Sequence, residues 1–115
     1  MTRPTNKFGA KKTHCAHGHM HASRREAARC NDLHLLQRAG RISDLEQQPR
    51  FRFTVDGRPV RHPSGRQIYY TADFQYREDG RTIVEDAKGA YRDKAWEVRR
   101  AFFIALFPQL ELREV

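Results

Sequence analysis

The dipeptide Asp79-Gly80, set between two alternating runs, constrains this chain more than any other feature. Both positions of a two-residue hairpin turn need positive φ, which glycine adopts freely and aspartate tolerates. The flanking runs Gln67–Arg77 and Arg81–Lys88 read as strands. With Asp79-Gly80 as the turn, Glu78 faces Arg81, Tyr76 faces Ile83, and Asp73 faces Asp86. Lys88 then follows Asp86 on the same face, because side chains alternate with period two. Two carboxylates opposed across a ladder repel. A cation between them removes the conflict, and a divalent metal ion is the obvious candidate. A three-residue loop would set Asp73 opposite Glu85 instead. Taken alone, the pair reads as two ordinary solvent-facing acids; the neighbouring signals argue for more.

The remaining pattern gives an α/β chain. Residues 1–12 (MTRPTNKFGAKK) are a basic, polar N-terminus, and residues 13–115 form one domain. Residues 13–22 read as a short hairpin turning at Gly18. Ser23-Arg24-Arg25-Glu26 fits a capping box, and the helix it opens runs to about Ala39, with Gly40 closing it. Arg41–Pro49 reads as a connection, Arg50–Val55 as a strand, and Asp56–Arg66, with two Gly and two Pro, as a loop. Asp93 caps a second helix, Lys94–Phe107. Its stripe Ala95, Val98, Phe102, Ala105 has helical spacing and reads as buried, with Trp96, Phe103 and Phe107 as a second stripe. Pro108 stops the helix, and Leu110–Val115 closes as a strand. The order is a hairpin followed by α-β-β-β-α-β: a mixed sheet with the last strand returning parallel and a helix on each face.

The chain has 115 residues, enough for one modest core. It carries 22 Lys+Arg against 14 Asp+Glu, a formal charge of +8 spread along its length, which suits a polyanionic partner such as nucleic acid. Its two cysteines make no disulfide framework, and no secretory signal precedes the domain. The longest apolar run, Ala101–Phe107, is far too short to span a membrane. A reducing, cytoplasmic setting is the expectation.

Two further features carry chemistry. Glu26 lies within roughly 40° of Cys30, Leu33 and Gln37 on a helical projection, so its carboxylate points toward the sheet. An inward carboxylate needs a partner, and the capping box supplies one at the Ser23 amide. His14, Cys15, His17, His19 and His21 crowd the first hairpin. Zinc wants four ligands in a tetrahedron, and Cys30 and His34 are the nearest further donors. Solvated side chains, or phosphate contacts at lower pH, are the simpler reading.

An acid on the first helix (Glu26), an aspartate on a middle strand (Asp73) and an acid-x-Lys at the end of the next (Asp86-Ala87-Lys88) together resemble the PD-(D/E)XK nuclease superfamily, which has the restriction-endonuclease-like fold. More closely, SRREAARCNDLHLLQRAGRISDLEQQPRF, YYTADFQY and IVEDAKG are similar to a small phage-encoded family placed in that superfamily. The resemblance covers about residues 5–115. Ala72 stands where the superfamily motif has proline, and the first hairpin is unusually rich in histidine.

The resemblance implies metal-dependent hydrolysis of DNA phosphodiesters. Asp73, Asp86, the Ala87 carbonyl and Glu26 would bind Mg²⁺ or Mn²⁺ as hard oxygen donors. Lys88, flanked by carboxylates that favour its charged form, would stabilise the transition state or orient the attacking water. Gln48, taken to precede the first sheet strand, is an accessory candidate. Arg24, Arg25, Arg92, Lys94, Arg99 and Arg100 are candidates for backbone phosphate contacts. Structured or recombining DNA, cut by junction resolution or nicking, is the expected substrate. A homodimer is the form that would cut two strands, with the aromatic-rich second helix as interface. The competing expectations are a non-catalytic nucleic-acid-binding module on the same fold, and a zinc-stabilised hairpin protein acting through protein contacts.

Overall fold

The computed structural model describes residues 13–21, 24–86 and 94–115. A two-strand hairpin, β1 (Thr13–His14) with β2 (Met20–His21), precedes helix α1 (Arg24–Arg38). Then come β3 (Ser43–Gln47), β4 (Arg50–Arg52), β5 (Thr54–Val55), β6 (Arg58–Pro59), β7 (Tyr69–Thr71), β8 (Phe74–Glu78) and β9 (Arg81–Asp86). Helix α2 (Lys94–Leu106) and β10 (Glu111–Glu114) complete the order. The principal sheet runs β10-β9-β8-β3. Both β3 and β9 lie antiparallel to β8, and β10 lies parallel to β9. This is a mixed sheet with two helices, as the sequence pattern implies.

Alternation along the strands builds two cores. Phe74, Tyr76 and Ile83 pack with Ala27, Cys30 and Leu33 of α1, together with Ile42 and Cys15. Val84, next to Ile83, packs on the other side with Phe53, Tyr70, Ala72 and Phe103 of α2. Each helix thus covers one face of the sheet. Gly40 ends α1 at φ +79°, with Arg41 N–H donating to the Leu36 carbonyl at 2.9 Å and Gly40 N–H to Gln37 at 3.0 Å. That is the left-handed closure expected of a C′ glycine.

The hairpin register is the two-residue one: Glu78 pairs with Arg81 and Tyr76 with Ile83, with Asp79 at φ +51° and Gly80 at φ +77°. The ladder ends, however, at Phe74↔Glu85. The Asp73 N–H donates to the Glu85 carbonyl at 3.1 Å, so Asp73 and Phe74 both oppose Glu85. Ala72 and Phe74, two residues apart, pack in different cores. One residue is therefore inserted at Asp73, which is the geometry of a β-bulge. The direct Asp73–Asp86 pairing expected from the turn does not form.

Other sequence expectations shift. Arg41–Pro49 is not merely a connection: Ser43–Gln47 is the edge strand β3. Its residues, SDLEQ, include types depleted in strands, and it is irregular between Ser43 and Glu46. The first strand of the principal sheet is thus β3, not Arg50–Val55, and Gln48 follows that strand. Arg50–Val55 divides into β4, which pairs with β7, and β5, which turns back to β6 inside the expected loop. Gln67–Arg77 is broken by the bulge into β7 and β8. On α2 only the second stripe is buried. Phe103 is fully buried, with Trp96 and Phe107 packed against the same core. Val98 and Phe102 are 54% and 44% exposed, and Ala95 and Ala105 are also exposed. The large aromatic side chains fill the space above the sheet, which leaves the smaller stripe in water.

Candidate active site

Asp73 and Asp86 lie at the same end of the principal sheet. Asp86 closes β9 and is 7% exposed. Its Oδ2 accepts a 2.6 Å hydrogen bond from the Tyr70 hydroxyl and a longer one, 3.4 Å, from Trp96 Nε1. Oδ1 of Asp86 carries no hydrogen bond from the described residues. The Asp86 carbonyl accepts from the Val115 N–H at 3.1 Å, which fixes the end of β9 against β10.

Asp73 sits half-buried at the bulge, and its carbonyl accepts from the Gln48 N–H at 2.8 Å. Gln48 adopts φ +47°, a left-handed conformation uncommon outside glycine. The Ala72 N–H donates to the Pro49 carbonyl at 3.1 Å, so the segment after β3 holds the bulge from the side opposite Glu85. Gln48 is thus a backbone neighbour of Asp73, with its side chain exposed.

Glu26 lies on the buried face of α1, 5% exposed, beside Cys30 and Leu33, as its helical position implies. Glu26 is on the α1 side of the sheet and the bonds to Asp86 are on the α2 side, with Asp73 at the residue where the chain changes face. Among the described residues these three carboxylates do not form a group with donor atoms within 4.8 Å of one another. Ala87, Lys88 and Arg92 lie outside the described residues, as does the Ser23 cap.

A third buried acid was not singled out by its sequence. Glu85 is fully buried, held by Arg29 Nε and Nη2 at 2.6 and 2.8 Å and by the Tyr76 hydroxyl at 2.5 Å. This carboxylate is spent on a structural pair. Burial, followed by the hydrogen bond to Glu85, pushes the Tyr76 hydroxyl up to about 12. The Glu85 carboxylate in turn raises the Arg29 guanidinium above its already high value.

Beside Asp86 on the α2 side is a cleft of about 340 Å³. Its walls include Tyr70 and Trp96, the two donors to Asp86, together with the cationic or titratable side chains His62, Arg66 and Arg99. His62 and Arg66 come from the segment read as a loop. Their signal was Arg61-His62 and Arg66 enclosing Pro63-Ser64-Gly65, a turn that presents basic side chains.

The other basic candidates divide. Arg24, Arg25, Lys94 and Arg99 are exposed. Arg100 is partly buried, paired with Glu114 at 3.0 Å and set over the Trp96 ring at 5.9 Å, so it braces α2 against β10. No helix among the described residues is long and apolar enough to cross a membrane.

Searches of curated proteins and of solved structures find no match. A family model described as "Protein of unknown function (DUF1064)" matches residues 5–115. That match takes in both helices and every strand described above, and the chain belongs to the DUF1064 family.

Proposed function

We propose that this chain is a metal-dependent DNA endonuclease built on a restriction-endonuclease-like core. The observation that carries the reading is the placement of Asp86 at the end of β9, beside a cleft lined by His62, Arg66 and Arg99. An acid next to a cationic, aromatic-walled cleft suits a nucleic-acid backbone, whose phosphates the cations offset and whose bases stack on rings. The order α1-β3-β8-β9-α2-β10 supports it as well, being the α-β-β-β-α-β order that the resemblance implies.

The donor chemistry fits a hard cation. Carboxylate oxygens are the ligands Mg²⁺ takes, and Asp86 Oδ1 is not committed to any hydrogen bond from the described residues. Asp86 and Asp73, with the Ala87 carbonyl, would hold Mg²⁺ or Mn²⁺; Glu26, on the α1 side of the sheet, would reach that ion only through water. Bound there, the ion supplies a water of lowered pKa and offsets charge on the phosphate. Tyr70 and Trp96 fix the Asp86 carboxylate through Oδ2, the kind of outer support that orients a ligand. The bulge re-aims Asp73, a common use of bulges beside active sites. Lys88, two residues beyond Asp86 in the sequence, would offset charge on the phosphate. Arg66 and Arg99 position the backbone and carry no sequence information themselves. The substrate is structured or recombining DNA, nicked by one copy or cut on both strands by a dimer.

The test is incubation of the purified protein with linear, nicked, flapped and four-way-junction DNAs, in Mg²⁺, in Mn²⁺ and in EDTA. Metal-dependent cutting supports the proposal, and the substrate that is cut names the role. Tight binding with no cutting of any substrate overturns it in favour of a binding module on the same fold.

A further inference from the structure

The first hairpin and α1 bring together a set of side chains that the nuclease chemistry does not use. Cys15 is buried in the hairpin, and Cys30 is fully buried on α1. Between them stands His19. Its Nδ1 lies 3.4 Å from Cys15 Sγ and 3.5 Å from Cys30 Sγ. All three donor atoms fall within 4.8 Å of one another, and among the described residues this is the one group of three such side chains that does.

Those distances have a chemical meaning. Zinc bonds thiolate sulfur at about 2.3 Å and imidazole nitrogen at about 2.0–2.1 Å, so the S···N edge of a tetrahedron is about 3.5 Å. Both Cys–His separations match that edge. From the geometry we infer that Cys15, His19 and Cys30 form a structural zinc site that fastens the N-terminal hairpin to α1. The next nitrogen belongs to His34, whose Nδ1 is 3.6 Å from Cys30 Sγ and donates at 2.9 Å to the Cys30 carbonyl. A turn of that ring away from the carbonyl would free its Nδ1 to serve as the fourth ligand.

The local fold explains the convergence. The tight turn Cys15–His19 is closed by Cys15 N–H donating to the His19 carbonyl at 3.0 Å and Gly18 N–H to the Cys15 carbonyl at 3.1 Å. Gly18 supplies φ +83°. Cys30 and His34 are four apart on a helix and share a face. The Ala16 N–H donates to Asn31 Oδ1 at 2.8 Å, which holds the turn over α1. The candidate ligands therefore fall in two Cys-x₃-His pairs, one on a turn and one on a helix. The Gln47 side-chain amide nitrogen lies 3.4 Å from Cys30 Sγ and can donate to a thiolate there, an outer-shell support for a ligating sulfur. Two sulfurs and imidazole select zinc over the hard cation proposed at Asp86. Binding releases the two thiol protons to solvent.

The test is metal analysis of the full-length protein, purified without added chelator, followed by cobalt substitution. The inference expects about one zinc per chain. It also expects a Co²⁺ spectrum with tetrahedral d–d bands and thiolate charge transfer. Zinc returned to chelated protein at a hundredfold excess over its dissociation constant raises Tm by roughly 10 °C. Cys30→Ser can fail to fold because the site is buried, so His19→Ala, on the hairpin, is the second variant: it keeps the helical circular dichroism and loses the cobalt charge-transfer band. A protein that takes up no zinc, an octahedral cobalt spectrum, an unaltered spectrum in His19→Ala, or a Cys15–Cys30 disulfide in freshly purified protein overturns the inference. None of these readouts depends on DNA cleavage, so this inference and the nuclease proposal fail independently.

Discussion

The Tyr70 hydroxyl donates to Asp86 Oδ2 across 2.6 Å, which ties the start of the cleft wall to the last residue of β9. Removing the hydroxyl strips a buried carboxylate of its shorter hydrogen bond, and a buried acceptor left short costs about 1–3 kcal/mol. Tyr70→Phe is expected to lose stability in that range in urea denaturation. It is also expected to lower the rate of DNA cleavage more than the affinity for DNA. Unchanged stability would mean that Asp86 is satisfied in some other way.

Glu85 and Arg29 form a pair with the opposite meaning, structural rather than catalytic. Glu85 is fully buried, and its partners are a two-point guanidinium contact and a phenol. Truncating one partner leaves a buried charge uncompensated, which costs about 3 kcal/mol or more. Arg29→Ala is expected to show that loss in chemical denaturation. Adding Glu85→Gln to it is expected to recover part of the stability, because the orphaned charge is gone.

The same cluster sets an alkaline limit. Burial and the hydrogen bond to Glu85 hold the folded Tyr76 hydroxyl at about 12, above the ordinary 10. Between those values the unfolded chain loses the proton and the folded chain keeps it. The contribution of Tyr76 is therefore fully present below pH 10 and is lost as the pH rises toward 12. Tyr76→Phe is expected to flatten that part of the stability–pH curve. An equal slope in wild type and variant would contradict the assignment.

The Asp79-Gly80 turn offers a test of the register. Gly80 sits at φ +77° with open space where a Cβ would go, so the cost of a side chain there is conformational and not a clash. Left-handed backbone costs an L-residue about 1–2 kcal/mol, and Gly80→Ala is expected to lose about 1 kcal/mol by thermal denaturation. A neutral result would place the turn in another conformation.

The sequence held the hairpin register in Asp79-Gly80, the C-terminal closure of α1 in Gly40, and the inward face of Glu26 in its spacing from Cys30 and Leu33. It did not disclose the bulge at Asp73. That extra residue is fixed by tertiary contacts, from Glu85 on one side and Gln48 and Pro49 on the other, and leaves no local mark in TADF. Strand β3 was hidden for a related reason: its sequence lacks strand formers, and only pairing with β8 makes it extended. The paired turn Asp56-Gly57, with φ +52° and +76°, did carry the same signal as Asp79-Gly80. It was masked by the neighbouring prolines and glycines. Which α2 stripe is buried could not be settled by spacing, because both stripes fit the helical period and only the shape of the sheet beneath chooses between them.

The cleft predicts how DNA is held. If Arg66 and Arg99 each neutralise a phosphate, replacing either with alanine weakens binding to all sequences alike and reduces the salt dependence by about one unit per contact. Fluorescence anisotropy across a salt series reads both effects. A loss confined to one sequence would argue for base recognition instead.

The most direct measurement is cleavage and binding side by side for wild type, Asp73→Asn, Asp86→Asn and Lys88→Ala in Mg²⁺. The account predicts that each variant binds DNA with an affinity near that of wild type and loses cleavage. Variants that fold and still cut at the wild-type rate would contradict it.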